Sequence, residues 1–321
     1  MTNRSAGAAP QEQDVSVTVA GVKIPCRFNP STGDAVGAVL IVPGSLFSDV
    51  DGNYPTMNMR PHAYADLARQ LSARGFAVLR MAKIGPGTGS QTINPMLAAS
   101  HIDFLTRVTV AAAGLALLRA TVNARPVIVA GHSEGAVVAS LLASGADARA
   151  IDGVVSLSGP ALPIFAVMRE QIVAMAPTGM APDMTLFDRT VAAIRAGNAP
   201  SPEATRDQTT AMLATMPAMG HAYLRSADRV DPVAALAKVR QPVLIVQGGR
   251  DASVPQDHAK ALHACRAALP TEVEVFPALN HFYKRTPPGL PPMQSMMLAT
   301  ESDTAVADAI ASWSRRLPVA G

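Results

Sequence analysis

Short apolar runs recur along this chain, and longer segments of mixed polarity separate them. The runs are rich in branched residues and too short for helices, which is typical of strands that are covered on both sheet faces. Alternating strands and helices predict a mostly parallel sheet with helices on both faces. After an initial hairpin, the predicted strands are 38–42, 76–81, 126–130, 153–159, 240–247 and 272–277. The predicted helices are 61–73, 99–121, 136–143, 256–268 and 304–316.

The amino-terminal residues differ from the rest of the chain. Residues 1–13 are rich in Ala, Ser, Gln and Gly and are predicted to be a disordered tail. The runs 15–19 and 22–26 flank Ala20-Gly21, so they predict an antiparallel hairpin at the sheet edge.

Residues 160–230 interrupt the alternation. About 70 residues separate two strands that a simple crossover would join in far fewer. The segment contains several prolines and is rich in methionine, with predicted helical stretches between the prolines. We therefore expect a core formed by 14–159 and 231–321 and a separate helical segment, 160–230, inserted after the sixth predicted strand.

The residues Gly131-His132-Ser133-Glu134-Gly135 lie between a predicted strand and a predicted helix. Strand, Gly-x-Ser-x-Gly and helix are the layout of a nucleophile elbow, a sharp turn that exposes a serine hydroxyl. The five-residue pattern alone is weak, since a Gly-rich loop that caps a helix has the same composition. A base and an acid must accompany a serine nucleophile.

Asp251 and His281 are candidates for that acid and that base. Each lies just after the carboxyl end of a predicted strand, where ligand sites of open α/β sheets are found. Taken singly, either could be an ordinary loop residue. Their order after Ser133, acid first and histidine last, predicts a Ser133-Asp251-His281 triad.

With these motifs, the chain resembles the α/β-hydrolase family over roughly residues 36–160 and 225–317, especially its bacterial esterase and serine-aminopeptidase-like branch. Two departures from the family pattern are the run from Lys83 to Ser90, which lacks the usual arginine, and Leu46-Phe47, where Gly-Pro is usual. The matching stretches are 44–53, the Gly-His-Ser-Glu-Gly turn, Asp231-Pro232, 242–248 and Asn280-His281.

The resemblance implies an α/β-hydrolase fold, a helical cap formed by 160–230, and hydrolysis of carboxylic esters through an acyl-enzyme. It also implies an oxyanion hole formed by the backbone N–H groups of Glu134 and of Ser45 or Leu46. The methionines of the cap would line an adaptable acyl pocket, or alternatively pack the cap's own core. The expected substrate-binding residues are Gly44, Met168, Met212, Met216 and Phe282.

Composition narrows the remaining choices. Hydrophobic residues make up 49% of the 321 residues, enough for a large core, and 27 basic against 24 acidic residues form no basic run. A small-molecule ester is therefore the expected partner, without nucleic acid, cofactor or metal. No secretory signal and no membrane span are recognised, which predicts a cytoplasmic protein, with a processed secreted form as the alternative; a homodimer is possible. Cys26 and Cys265 are expected to be free thiols, with one disulfide as the alternative.

Other functions remain open on the sequence. A thioesterase or an aminopeptidase-like hydrolase could use the same triad, and a catalytically silent binding protein could share the fold. A silent relative generally lacks the serine or the histidine, and this chain has both.

Overall fold

The computed structural model describes residues 11–84, 91–92, 103–176 and 182–318. A nine-stranded sheet runs through the molecule in the order β1-β2-β4-β3-β6-β7-β8-β9, with β5 paired to β2. The strands are β1 Gln13–Val19, β2 Val22–Asn29, β3 Gly37–Val42, β4 Phe76–Met81, β5 Gln91–Thr92, β6 Val127–His132, β7 Gly153–Leu157, β8 Val243–Gly248 and β9 Thr271–Phe276.

The sheet is antiparallel at its amino-terminal edge and parallel elsewhere. β1 and β4 each pair antiparallel with β2. From β4 through β9 all neighbours on the main path are parallel. The carboxyl ends of β3, β6, β8 and β9 consequently lie along one edge of the sheet, where loops can bring distant side chains together.

Helices cover both faces of this sheet. The described helices are α1 Ala63–Ser72, α2 Thr106–Thr121, α3 Glu134–Ser144, α4 Ile164–Met175, α5 Thr185–Arg195, α6 Ala211–Ala214, α7 Ala218–Asp228, α8 Pro232–Ala237, α9 Gln256–Ala264, α10 Pro292–Met296 and α11 Thr304–Ser314.

Alternate residues of β3 show how the two faces are used. Leu40 belongs to a buried cluster that includes residues of α2 and α3. Its neighbours Val39 and Ile41 belong to a second cluster with α1 and α11 on the opposite face. Successive side chains of a strand point to opposite faces, so both clusters follow from an uninterrupted apolar run. The predicted α/β-hydrolase fold, a mostly parallel sheet with helices on both faces, is confirmed.

Several predicted boundaries need correction. Gln13 begins β1, and Glu12 forms an ion pair with the buried Arg80, so the tail prediction is wrong at these positions; residues 1–10 lie outside the described residues. Pro61 precedes α1 without joining it. The helix at Gln256 ends at Ala264.

The start of the helix predicted over 99–121 also differs. Its described part begins at Thr106, and residues 99–102 lie outside the described residues. The strand before the insertion is the seventh in the chain, because the two-residue β5 adds one that the apolar pattern does not predict.

The two cysteines are free: Cys26 is buried in β2, and Cys265 is partly buried after α9. None of the helices in the described ranges is both long enough and apolar enough to cross a membrane.

Candidate active site

Ser133 lies at the sharp turn between β6 and α3. Its φ of 54° and ψ of −126° are unusual for a residue with a side chain, and its N–H donates to the Leu157 carbonyl of β7 at 2.8 Å. Glycines flank it because the turn is so tight. A Cβ on Gly131 would lie 2.1 Å from the Gly135 oxygen, and one on Gly135 would lie 2.4 Å from the Val42 oxygen. The local sequence therefore accounts for the strained serine.

His281 and Asp251 meet at the same edge of the sheet. His281 Nδ1 lies 2.8 Å from Asp251 Oδ2, and the other carboxylate oxygen accepts from the Ser253 and Val254 amides at 2.9 Å each. Burial acts to raise the pKa of the Asp251 carboxyl, but His281 and these hydrogen bonds outweigh it and hold the pKa below its usual value. Asp251 is therefore an ionised acceptor that fixes the imidazole ring.

Ser133 and His281 line one cavity. Within the described ranges the Ser133 hydroxyl and the His281 ring share no direct hydrogen bond. Hydrogen bonds between a serine and its base are often long or poorly aligned until substrate binds. Asp251 and His281 are thus already hydrogen-bonded, whereas Ser133 and His281 line the same cavity without a hydrogen bond between them.

His132 precedes Ser133 in the chain, is buried, and links three parts of the candidate site. Its Nε2 lies 2.9 Å from the carbonyl oxygen of His281, and its Nδ1 lies 3.1 Å from the Tyr64 hydroxyl. Tyr64 in turn accepts from the Gly44 amide at 2.8 Å. Burial and the neighbouring His281 lower the pKa of His132 to about 3, so its ring is neutral.

Glu134 points away from solvent into a buried charge cluster. Its Oε1 lies 3.0 Å from Arg107 Nη1 and accepts from the Tyr223 hydroxyl, and its Oε2 lies 3.8 Å from Lys83 Nζ. Burial would raise the pKa of Glu134, but Lys83 and Arg107 lower it to about 2. Glu134 is therefore a structural anion whose backbone amide begins α3.

Arg107 connects this cluster to the loop after β3. Its Nη2 donates to the carbonyl oxygens of Pro43 and, at 3.1 Å, of Gly44. The Ser45 side chain hydrogen-bonds to Glu134, so the loop is held from both sides of the cluster. Leu46 has a φ of 62°.

The backbone amides of Ser45, Leu46 and Glu134 are the oxyanion donors that the sequence predicts. Within the described part of the chain none of the three donates to a protein acceptor; for Glu134 this is expected because the first amides of a helix lack an intrahelical partner. Ser45, Leu46 and Glu134 all line the cavity. Gly44 is not among the lining residues, and its amide is used by Tyr64.

The cavity of 520 Å³ extends from Ser133 toward α4–α7 and is predominantly apolar. Met168, Met212, Met216 and Phe282, all predicted from the sequence, are on its wall. Met184 instead packs in the core, which is the alternative that the composition left open, and Met180 lies outside the described residues. Further methionines line the cavity: Met57, Met59, Met175, Met219, Met293 and Met296.

Lys83, Tyr64 and Arg107 were not predicted from the sequence as site residues. Lys83 belongs to the run that departs from the family turn, but the sequence does not indicate which way its side chain points. The neighbouring residues 85–90 lie outside the described residues. Within the described ranges, no group of three or more His, Cys, Asp or Glu side chains is arranged to hold a metal ion.

The chain matches the model of a known protein family. The family described as serine aminopeptidase, S33, matches residues 57–283, which is more than half of the chain. The matched range contains Ser133, Asp251 and His281.

Individual relatives are esterases by name. The chain is 25% identical over 304 residues to esterase EstD of Thermotoga maritima, covering 94% of this chain and 67% of that protein. It is similar in structure to Est1E of Butyrivibrio proteoclasticus, with a TM-score of 0.55 and 16% identity over 94% of this chain and 96% of that one. An esterase of Pyrococcus furiosus superposes with a TM-score of 0.57 and 16% identity, covering 95% and 92% of the two chains. At these identities the structural likeness bears on the fold alone.

Proposed function

Because this chain belongs to the serine aminopeptidase S33 family and is a serine hydrolase of the carboxylesterase type, we propose that it cleaves small to medium apolar acyl esters through Ser133, Asp251 and His281. The observation that carries the proposal is that Asp251 fixes His281, which lines the same cavity as Ser133. An acid-oriented imidazole beside a strained serine is the arrangement that acyl transfer needs.

The reaction proceeds in two halves. His281 removes the proton from the Ser133 hydroxyl as the oxygen attacks the ester carbonyl, and then protonates the departing alcohol. A water molecule, activated by the same imidazole, releases the acid from Ser133. Asp251 keeps the ring in the tautomer that leaves Nε2 free to accept, because Nδ1 donates to its carboxylate.

The backbone amides of Glu134 and of Ser45 or Leu46 are the proposed oxyanion donors. Donors of this kind act where charge develops in the transition state, and removal of one typically costs about 3 kcal/mol. The contacts of Arg107 and of the Ser45 side chain support the role, since they hold the loop before substrate arrives.

The helices α4–α7 are proposed to act as a cap over the site, on the predicted core of 14–159 and 231–321, to which Gln13 of β1 is added. Met168 of α4 and Met212 and Met216, in and just after α6, supply apolar, adaptable surface where an acyl chain would lie. Phe282 is the proposed contact beside the imidazole, whereas Gly44 acts through the loop and not as a lining residue. A cytoplasmic location and a homodimer stay predictions.

Peptide hydrolysis is less well supported. An aminopeptidase must hold a substrate ammonium, which calls for an uncommitted carboxylate in the cavity. Among the described lining residues the one carboxylate is Glu134, and Arg107, Lys83 and Tyr223 already occupy it. An ester is therefore the substrate that the cavity fits better.

A panel of p-nitrophenyl esters of rising chain length, run beside aminoacyl anilides, tests the proposal. Wild-type protein should hydrolyse the esters, and Ser133→Ala should lose about 10⁴-fold or more in kcat while keeping the wild-type melting temperature within a few degrees. The matched control is Ser312→Ala, on the exposed side of α11. Full activity of Ser133→Ala, or a clear preference for anilides, would overturn the esterase proposal.

A further inference from the structure

We propose that Lys83 forms a subsite for a second, ionised carboxyl group on the substrate, so that the enzyme favours esters that carry a carboxylate. This inference rests on the proposed esterase function and names the class of ester. It follows from the position of one buried cation that the hydrolysis reaction itself does not use.

The Lys83 ammonium is enclosed but incompletely bonded. Its side chain is 6% exposed, and it lies on the wall of the cavity that contains Ser133. The nearest opposite charge is Glu134 Oε2 at 3.8 Å, and the ring centroids of Tyr223 and Phe47 are 4.7 and 5.9 Å away. Within the described residues no oxygen lies at hydrogen-bonding distance from the ammonium, which has three protons to donate.

Glu134 does not balance the charge of Lys83. Its Oε1 is occupied by Arg107 at 3.0 Å and by the Tyr223 hydroxyl. The cluster thus contains two cations and one anion, which leaves one positive charge in excess inside a mostly apolar cavity. An excess of buried positive charge is costly, so the site stabilises an anion that reaches it.

The pKa of Lys83 is consistent with an ammonium group that can bind an anion. Burial lowers the pKa of Lys83 to about 8, and the attraction of Glu134 opposes this only in part. At neutral pH the ammonium is still charged and available to a carboxylate.

The position of the subsite determines what it selects. Glu134 directly follows Ser133 in the chain, and Lys83 shares the cavity wall with both. A substrate whose ester carbonyl is at Ser133 can therefore place a second group against Lys83 with apolar surface between them. Carboxylate and ammonium form a charge-assisted hydrogen bond, which a neutral group of the same shape cannot replace.

Two pairs of substrates test the inference. For the acyl side, p-nitrophenyl hydrogen adipate is compared with p-nitrophenyl 6-methylheptanoate, in which an isopropyl group replaces the carboxylate. For the alcohol side, 4-carboxyphenyl butyrate is compared with 4-isopropylphenyl butyrate. Each pair gives a ratio of kcat/KM, acid over neutral, and the pair with the larger effect identifies which side of the ester faces Lys83.

Replacement of the cation should reduce this ratio. Lys83→Met should lower it by about 30-fold or more in at least one pair, as expected when one partner of a buried charge pair is removed. The control variant is Lys238→Met, since Lys238 is exposed just after α8 and is not among the lining residues. It should keep the wild-type ratio.

The wild-type protein gives a second, mutation-free test. As pH rises from 7 to 9, Lys83 loses its charge and the ratio should fall about tenfold. The groups that face Lys83 keep their charge state over this range: the pKa of Glu134 is about 2, and the pKa values of Arg107 and Tyr223 are raised above their usual values. A change in activity that is common to both members of a pair cancels in the ratio.

A ratio that is unchanged in Lys83→Met and constant from pH 7 to 9, in both pairs, would overturn the subsite. That result is distinct from failure of the proposed function, in which wild-type protein would hydrolyse neither member of either pair. An equal loss for acid and neutral esters in Lys83→Met would also overturn the subsite, because it would show an effect on the reaction and not on substrate choice.

Discussion

His132 holds the backbone of His281 in place. Its Nε2 lies 2.9 Å from the His281 carbonyl oxygen, and the two ring centroids are 4.6 Å apart. Because the His132 ring is neutral and donates from Nε2, its Nδ1 accepts from the Tyr64 hydroxyl. Through Tyr64 the same ring is connected to the Gly44 amide. The proposed base and the proposed oxyanion loop therefore share one buried support.

Replacing His132 should reduce kcat more than it changes KM. In His132→Leu the His281 carbonyl and the Tyr64 hydroxyl each lose the hydrogen bond to the imidazole. A misplacement of about 1 Å in the reacting groups can cost about 100-fold in rate. We also expect a loss of about 1–3 kcal/mol in the free energy of unfolding. Steady-state kinetics and urea unfolding measure the two effects.

His221→Leu is the matched control for this prediction. His221 is also buried and bonds one backbone carbonyl, that of Leu213 at 2.9 Å, but does not line the cavity. It should lower stability comparably with a much smaller loss of kcat. Equal losses of kcat in both variants would show that His132 acts only on stability.

Asp251→Asn should lower kcat by about 10⁴-fold, because the amide can donate to Nδ1 and favour the wrong tautomer of His281. The variant should also lose a pH-dependent contribution to stability. Because the pKa of Asp251 is lower in the folded protein than in the unfolded chain, its ionised form stabilises the fold at pH values above the unfolded pKa. This contribution disappears as pH falls through the folded pKa. Denaturation followed from pH 7 down to pH 3 measures it.

Asp257→Asn controls for the loss of a carboxylate near this region. Asp257 is exposed and pairs with Lys260 at 2.8 Å on the surface of α9. Its replacement should leave kcat within about twofold of wild type, as expected for a solvated pair. A mild effect of Asp251→Asn, similar to that of this control, would contradict the triad.

Glu134→Gln should be strongly destabilising. It removes the anion between Arg107 and Lys83 and leaves two cations buried together, which we expect to cost about 3–5 kcal/mol. Urea unfolding measures this loss. Glu203→Gln breaks an exposed pair with Arg189 and should cost less than about 1 kcal/mol. If the two variants lost the same stability, the buried cluster would not be electrostatically coupled.

Lys83→Met should be more stable than wild type at neutral pH, by up to about 3 kcal/mol, because it removes a cation whose burial lowers its pKa to about 8. The difference should shrink as pH rises from 8 toward 10.5. In that range the unfolded wild-type chain holds a proton that the folded protein has released, so wild-type stability rises with pH. Thermal unfolding across pH 7–10 follows the difference; one that is constant with pH would contradict the buried ammonium.

The fold and the positions of Asp251 and His281 could be predicted because they depend on local patterns. An apolar run followed by a Gly-rich turn places Asp251 at the end of β8. The alternating strand Thr271–Phe276 places His281 on the loop after β9. The parallel pairing of these strands, with Gly248 opposite Phe276, then brings the two ends together. The sequence predicts that α9 ends at residue 268, but it ends at Ala264, because composition changes gradually there.

The buried contacts around His132 could not be predicted in this way. His132 contacts residues 68 and 149 positions away in the chain, and no periodic pattern records such contacts. The inward direction of the Glu134 side chain could not be predicted either, because a carboxylate at the start of a helix is also favoured when it faces solvent. Its burial depends on Arg107 and Tyr223, which come from other helices.

The contact between Arg107 and the Gly44 carbonyl has a consequence for the motion of the loop. In a planar trans peptide the carbonyl and the following N–H point in opposite directions, so Arg107 also fixes the direction of the Ser45 amide. A flip of that peptide would break a bond to a guanidinium that is itself paired with Glu134. The orientation of the amide is therefore set before any substrate enters, and a change in it would cost the hydrogen bond to Arg107.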